Sequence, residues 1–363
     1  GLQMEKYAAY IDQPVKVREG EMPDPEKLSN YLTQNLPGFR GPLEITQFPG
    51  GYSNLTFQLN WNGGNCILRK PPHGANIKSA HDMGREHKVL SALKPVYRAV
   101  PTPLLFCNDS TVMDTPFYLM EKVSGIILRN KVPKGIELSP DIMKAISTAA
   151  IDNLAALHEI DLNETGLGAL GKPEGYAQRQ VEGWISRYEN AATDDIPAMT
   201  ETAAWMRSNI PPENQPAFIH NDYKYDNLVL DPNNLAHILA VLDWEMATVG
   251  DPLMDLGTTL AYWGEEADSP ALKPFNLTWL AGNLTREQVV KRYAATKNIP
   301  EPDMLFYYVF GSYKIGGIVQ QIYARYKKGF TKDERFAGLI HVLKACADNA
   351  QKAIQYNRIS HFY

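Results

Sequence analysis

One stretch, His220-Asn221-Asp222-Tyr223-Lys224-Tyr225-Asp226-Asn227, constrains this chain more than any other. It puts a carboxylate, Asp222, and a neutral amide, Asn227, on one loop after a histidine. Leu228-Val229-Leu230 leaves the loop directly, and Asp231-Pro232-Asn233-Asn234 turns the chain. Ile238-Leu239-Ala240-Val241-Leu242 then returns to Asp243-Trp244-Glu245. Two short apolar runs around a Pro-Asn turn read as a hairpin. The pattern therefore fixes a loop and a hairpin that carry three oxygen-bearing side chains along one short stretch. Gly250-Asp251-Pro252-Leu253-Met254-Asp255-Leu256 follows. Asp251 before Pro252 suits a helix cap. Asp255 is placed to bond the loop backbone and hold it rigid.

The remainder divides by periodicity. Residues 1–42 are polar and carry five prolines, so they read as an N-terminal extension with a helix over 24–34. Strand signals cover 43–48, 55–60 and 66–69, with Asn62-Gly63-Gly64 as a turn. A helix is expected over 79–93, then apolar runs at 104–107 and 116–123. After Val123 the pattern turns helical, over 139–158, 176–189, 199–208, 285–297, 304–326 and 332–356. Thr285-x-x-Gln288 is a capping-box pattern. The expected fold is α+β in two lobes. Residues 43–122 form a small antiparallel sheet with one helix, and 123–363 form a larger helical lobe.

Composition narrows the function. Apolar residues make up 44% of the 363 and charged residues 21%, which is globular. The net charge of −5 lacks the basic excess of a nucleic-acid binder, so no nucleic-acid partner is expected. Cys66, Cys107 and Cys346 are scattered, which argues against a disulfide framework or a zinc site and for a reducing, cytoplasmic setting. The N-terminus has no signal-peptide pattern. The most apolar long segment, 304–326, carries Lys314 and several glycines and falls short of the ~18 consecutive apolar residues of a membrane span.

The loop has the H-x-D-x-x-x-x-N spacing of a kinase catalytic loop. Phosphoryl transfer needs a carboxylate beside the acceptor hydroxyl and oxygen ligands for Mg²⁺. Asp222 is the candidate for the first, and Asn227 with Asp243 for the second. In the sheet-rich third, Phe48-Pro49-Gly50-Gly51-Tyr52-Ser53-Asn54 lies between strands. Its glycines allow backbone approach to phosphates, although a plain hairpin turn fits these residues equally. Arg69 and Lys70 end the next strand, and Glu86 is the candidate anionic partner of whichever faces phosphate. Side chains alternate along a strand. Cys66 and Leu68 then share the core face, and Ile67 and Arg69 share the nucleotide face, which favours Arg69. Glu121 and Val123 lie where a link would offer main-chain groups to adenine. His158, ending an apolar helix, reads as structural.

Taken together these residues resemble the aminoglycoside phosphotransferase-like family, which includes choline and homoserine kinases, over about residues 40–330. Phe218-Ile219-His220-Asn221-Asp222, Val241-Leu242-Asp243-Trp244-Glu245 and Gly250-Asp251-Pro252 are most similar to the branch found beside or fused to acyl-CoA dehydrogenases. Leu68-Arg69-Lys70-Pro71-Pro72, Leu154-Ala155-Ala156-Leu157-His158 and Tyr323-Ala324-Arg325-Tyr326 add to the likeness. The resemblance implies a protein-kinase-like fold with ATP in a cleft. Three departures stand out. Asn221 replaces the usual Gly, Lys224 stands where His is frequent, and Arg69 or Lys70 stands in for the phosphate-binding Lys. Lys224 matches the lysine that meets the γ-phosphate in protein Ser/Thr kinases. The expected activity is ATP- and Mg²⁺-dependent phosphotransfer to a hydroxyl of a small molecule, by analogy a hydroxyacyl thioester. The alternatives are an aminoglycoside or choline-type kinase, or a nucleotide-binding regulator without turnover.

Overall fold

The computed structural model describes residues 13–49, 54–72, 77–132 and 134–363. Packing within the chain separates two compact units, Gly1–Ile126 with Leu239–Glu245, and Ile127–Ile238 with Met246–Tyr363.

The first unit opens with helix α1 (Pro25–Asn35). Asp24 caps it by accepting from the N–H groups of Glu26 and Lys27 at 3.1 and 3.2 Å. Pro25 sits in the first turn, where its missing N–H costs nothing. Strands β1 (Glu44–Gln47), β2 (Leu55–Trp61) and β3 (Gly64–Lys70) follow, then helix α2 (Ile77–Leu93) and strands β4 (Pro103–Cys107) and β5 (Phe117–Met120). They form an antiparallel sheet in the order β1-β2-β3-β5-β4. The ladder sets Phe57 opposite Leu68, Leu59 opposite Cys66, and Arg69 opposite Tyr118. One core contains Leu28 and Leu32 of α1 with Phe57, Leu59, Cys66 and Leu68. Both leucines are fully buried. Each such burial contributes roughly 1.5–3 kcal/mol. The 13–42 stretch therefore packs into this unit. Val15 bridges to Gln47, and Val17, Leu36 and Phe39 are core residues. Leu239–Glu245 is tied in by the Val241 N–H, which donates to the Ala99 carbonyl at 2.8 Å, and by Trp244 edge-on to Tyr97.

The second unit begins with helices α3 (Pro140–His158), α4 (Leu162–Thr165), α5 (Tyr176–Ala191) and α6 (Pro197–Ser208). Strand β6 (Ala217–Ile219) pairs with β9 (Thr248–Gly250). Between them in sequence, β7 (Leu228–Asp231) and β8 (Asn234–Val241) make the expected hairpin. Helices α7 (Pro252–Tyr262), α8 (Arg286–Lys297), α9 (Leu305–Lys327) and α10 (Leu339–Tyr356) complete the unit. The capping box at Thr285 is present. Helix α9 is buried on most sides and packs on α5, α7 and α10. It meets α7 backbone to backbone, since a Cβ on Gly311 would lie 2.4 Å from the Gly257 carbonyl oxygen. The last helix starts at Leu339, later than the expected 332. Asp333 caps a separate 3-10 turn, Glu334–Gly338, whose last residue, Gly338, directly precedes the helix. Among the described residues no helix is long and apolar enough to cross a membrane. All three cysteines are free and buried.

Candidate active site

In the second unit the 220–227 loop is held from behind. Asp255, fully buried on α7, accepts from the backbone N–H of His220 at 3.0 Å and of Asn221 at 2.8 Å. Its carboxylate is fixed in turn by His158 Nε2 at 2.8 Å, and His158 Nδ1 meets the Tyr293 hydroxyl at 2.7 Å. His158 is structural, as its place at the end of an apolar helix suggests, and Asp255 has the anchoring role expected of it. Burial opposes ionisation of Asp255, yet the hydrogen bonds and charge of His158 and the His220 N–H hold its pKa below the ordinary 3.8. Asn221 has φ +73°, the left-handed region that Gly and Asn tolerate best. That explains how Asn can stand where the resemblance leads one to expect Gly. Its side chain adds a bond of 2.9 Å to the Met246 carbonyl.

The loop's front presents the expected residues together. The Asp222 N–H donates to His220 Nδ1 at 3.0 Å. Asn227 Nδ2 donates to the Asp222 carbonyl at 2.8 Å and to its carboxylate at 3.3 Å. That leaves the Asn227 amide oxygen on the opposite edge. Lys224 Nζ lies 3.8 Å from Asp222 Oδ1 and 3.7 Å from Asp226, above the Tyr262 ring at 4.4 Å. Tyr262 is a residue the sequence reading missed. Burial, then the charge of Asp222 and a hydrogen bond to it, push its phenol far above the ordinary value. No motif marks it, since it is one aromatic among many at a helix end.

In the first unit Arg69 Nη2 lies 3.3 Å from Glu86 Oε1. The Tyr118 hydroxyl donates to the same carboxylate oxygen at 3.2 Å. Burial opposes the charge of Arg69, but its neighbours Tyr118, Glu86, Asp243 and Glu245 raise its pKa overall. Burial raises the pKa of Glu86, against the pull of Arg69. Arg69 Nε has no hydrogen-bond partner among the described residues. Lys70 points to the opposite face of β3, where Asp114 takes its ammonium at 3.1 Å. Asn54 Nδ2 donates to Glu245 at 3.2 Å and to Glu86 at 3.4 Å. Asp243 follows β8 with φ +65°, two residues beyond the strand's end. The Glu121 N–H donates to the Thr102 carbonyl, and its carboxylate accepts from Thr102 at 2.7 and 2.8 Å. Val123 lies half-buried just beyond β5. Gly50, Gly51 and Ser53 lie outside the described residues.

Known proteins resemble this chain in sequence and in fold. Acyl-CoA dehydrogenase family member 11 of Gallus gallus is 36% identical over 360 residues, 95% of this chain and 46% of that protein. The chain thus spans less than half the length of that relative. A crystal structure from Ralstonia eutropha, described provisionally as an aminoglycoside phosphotransferase, is 31% identical. It superposes with a TM-score of 0.78 over 91% of this chain and 99% of its own. The choline kinase of Cryptosporidium parvum has a TM-score of 0.62 over 92% and 97% of the two chains, at 14% identity, and speaks for the fold alone. The description "Phosphotransferase enzyme family" matches residues 44–289, more than half of the sequence, and the chain belongs to that family.

Proposed function

We propose that this protein transfers the γ-phosphoryl group of ATP to a hydroxyl of a small molecule, with Mg²⁺ as cofactor and a hydroxyacyl thioester as the leading acceptor class. The observation that carries the reading is the loop held by Asp255, which keeps the Asp222 carboxylate, the Asn227 amide and the Lys224 ammonium together. Pre-set geometry of this kind is what phosphoryl transfer asks of a protein, because its catalysis is mostly positioning and charge neutralisation. The acyl thioester is inferred from the Gallus gallus relative's name alone.

The donor set suits the cofactor. The Asn227 amide oxygen and the Asp243 carboxylate are hard oxygen donors, and Mg²⁺ takes one or two such groups with phosphate oxygens and water. Bound there, the ion would neutralise charge on the phosphates. In the proposed reaction Asp222 orients the acceptor hydroxyl and takes its proton as the new O–P bond forms. The bond from the γ-phosphorus to the bridging oxygen breaks, and ADP leaves with that electron pair. Lys224 offsets charge on the transferring group. Arg69, braced by Glu86, serves the phosphates further back, and its unpartnered Nε supports a ligand contact.

Calorimetric titration of Asp243→Ala tests the metal assignment. Mg·ATP should lose much more affinity than metal-free ATP, because Asp243 is proposed to reach the nucleotide only through the metal. Equal losses for the two would make Asp243 a structural residue.

A further inference from the structure

A cavity of about 350 Å³ in the second unit opens beside the 220–227 loop. Asn221, Lys314, Arg187, Trp184, Tyr176 and Gln321 are among its lining residues, and among the described residues no Asp or Glu is. Lys314 is buried on α9 and donates to the Asn221 carbonyl at 3.1 Å. Burial lowers its pKa. Asp222 and Asp255 partly restore it, and the nearby Arg187 lowers it further. Two cations therefore face one cavity with no lining carboxylate between them. The charge of Asp222, one residue beyond Asn221, reaches this lysine. A second cavity, about 580 Å³, shares Arg187 and Gln321 and adds Arg325, Lys328 and the exposed Phe330, again without an acidic residue.

We propose that these neighbouring cavities form the acceptor subsite and take a hydroxyl compound bearing an anionic group, carboxylate or phosphate, away from its reacting oxygen. This rests on the phosphotransfer reading above and narrows its substrate. An anion between Arg187 and Lys314 removes the repulsion between them and meets Arg187's planar fork of donors. A polycation or a quaternary ammonium meets the opposite. It faces two like charges, and the Trp184 ring it would use is already covered by the Arg187 guanidinium at 4.7 Å. Lys314 was visible in the sequence as a charge in the middle of the apolar 304–326 segment. A buried lysine on a core helix needs a reason.

The test is calorimetric titration of the whole chain without nucleotide. The probes are 6-hydroxyhexyl phosphate, 6-hydroxyhexanoate and 6-aminohexan-1-ol. At least one anionic probe should saturate below about 20 mM while the amine does not. Arg187→Gln should weaken that anion about tenfold, and raised salt should weaken it too. Arg187 is exposed on α5, and Gln keeps helix propensity, so the fold tolerates the change. Equal or tighter binding of the amine, no anion saturating, or an Arg187→Gln chain that binds like the parent overturns the proposal. Turnover plays no part in the titration, so a failed subsite and a failed phosphotransfer reading are told apart.

Discussion

Single residues carry the sharpest distinctions here. Arg69 and Lys70 are adjacent cations, and strand alternation sends them to opposite faces of β3. Arg69 meets Glu86 and Lys70 meets Asp114. In the proposed reaction Arg69→Ala raises the ATP KM about tenfold or more, the cost of a lost charge-assisted contact, while Lys70→Ala changes it by less than about twofold. The reverse ranking in the two nucleotide titrations contradicts the assignment. That side-chain register was legible because β3 alternates without a bulge through Arg69. Asp255 gives a second residue-scale prediction. Asp255→Ala leaves two loop N–H groups and His158 without their acceptor, at a cost of about 3–5 kcal/mol. Its pKa in the fold lies below the ordinary 3.8, so its stabilisation is complete above that pH and is lost as pH falls through the lower value. The gap in urea midpoint between parent and variant should be full at pH 7 and should narrow as pH falls below the ordinary 3.8. A gap equally wide at both pH values contradicts this account of Asp255.

At the scale of elements, α1 and α8 were readable because their caps are written in the sequence. Asp24-Pro25 starts α1, and the Thr285–Gln288 box starts α8. What could not be read was long-range packing. Nothing in the polar, proline-rich 1–42 stretch announces that Leu28 and Leu32 sit in the sheet's core, because two leucines one turn apart fit a surface helix as well. The start of α10 was misplaced because 332–338 keep helical composition, while Asp333 caps a separate 3-10 turn ahead of α10. The crossing of α7 and α9 is likewise hidden in the sequence. Gly257 and Gly311 look like weak points in helices, yet they are where the two backbones touch. Gly311→Ala should therefore destabilise by about 1–3 kcal/mol or more, although Ala is the better helix former. A thermal melt at or above the parent's would show that this crossing relaxes at no cost.

For the whole molecule, the sequence disclosed the family through motifs that lie close together in the chain, and it left the acceptor unnamed. The reason is physical. The residues lining the cavity beside Asn221 come from α5, the loop after β8, β9 and α9, far apart in sequence and bound by no spacing rule. Tyr262 and Lys314 owe their importance to burial and neighbours, which no motif encodes. The account's central claim is that Asp222 drives transfer of the γ-phosphoryl group to an acceptor hydroxyl. Phosphorus NMR tests it most directly, on parent and Asp222→Asn chains given Mg·ATP and a pool of hydroxyacyl thioesters, hydroxy acids, amino alcohols and aminoglycosides. The account predicts ADP and a new phosphate monoester with the parent, and a rate lower by about 10²–10⁴-fold in the variant, whose ATP affinity stays unchanged. A parent that forms no monoester from any of these acceptors, or a variant that forms it as fast, would contradict the claim.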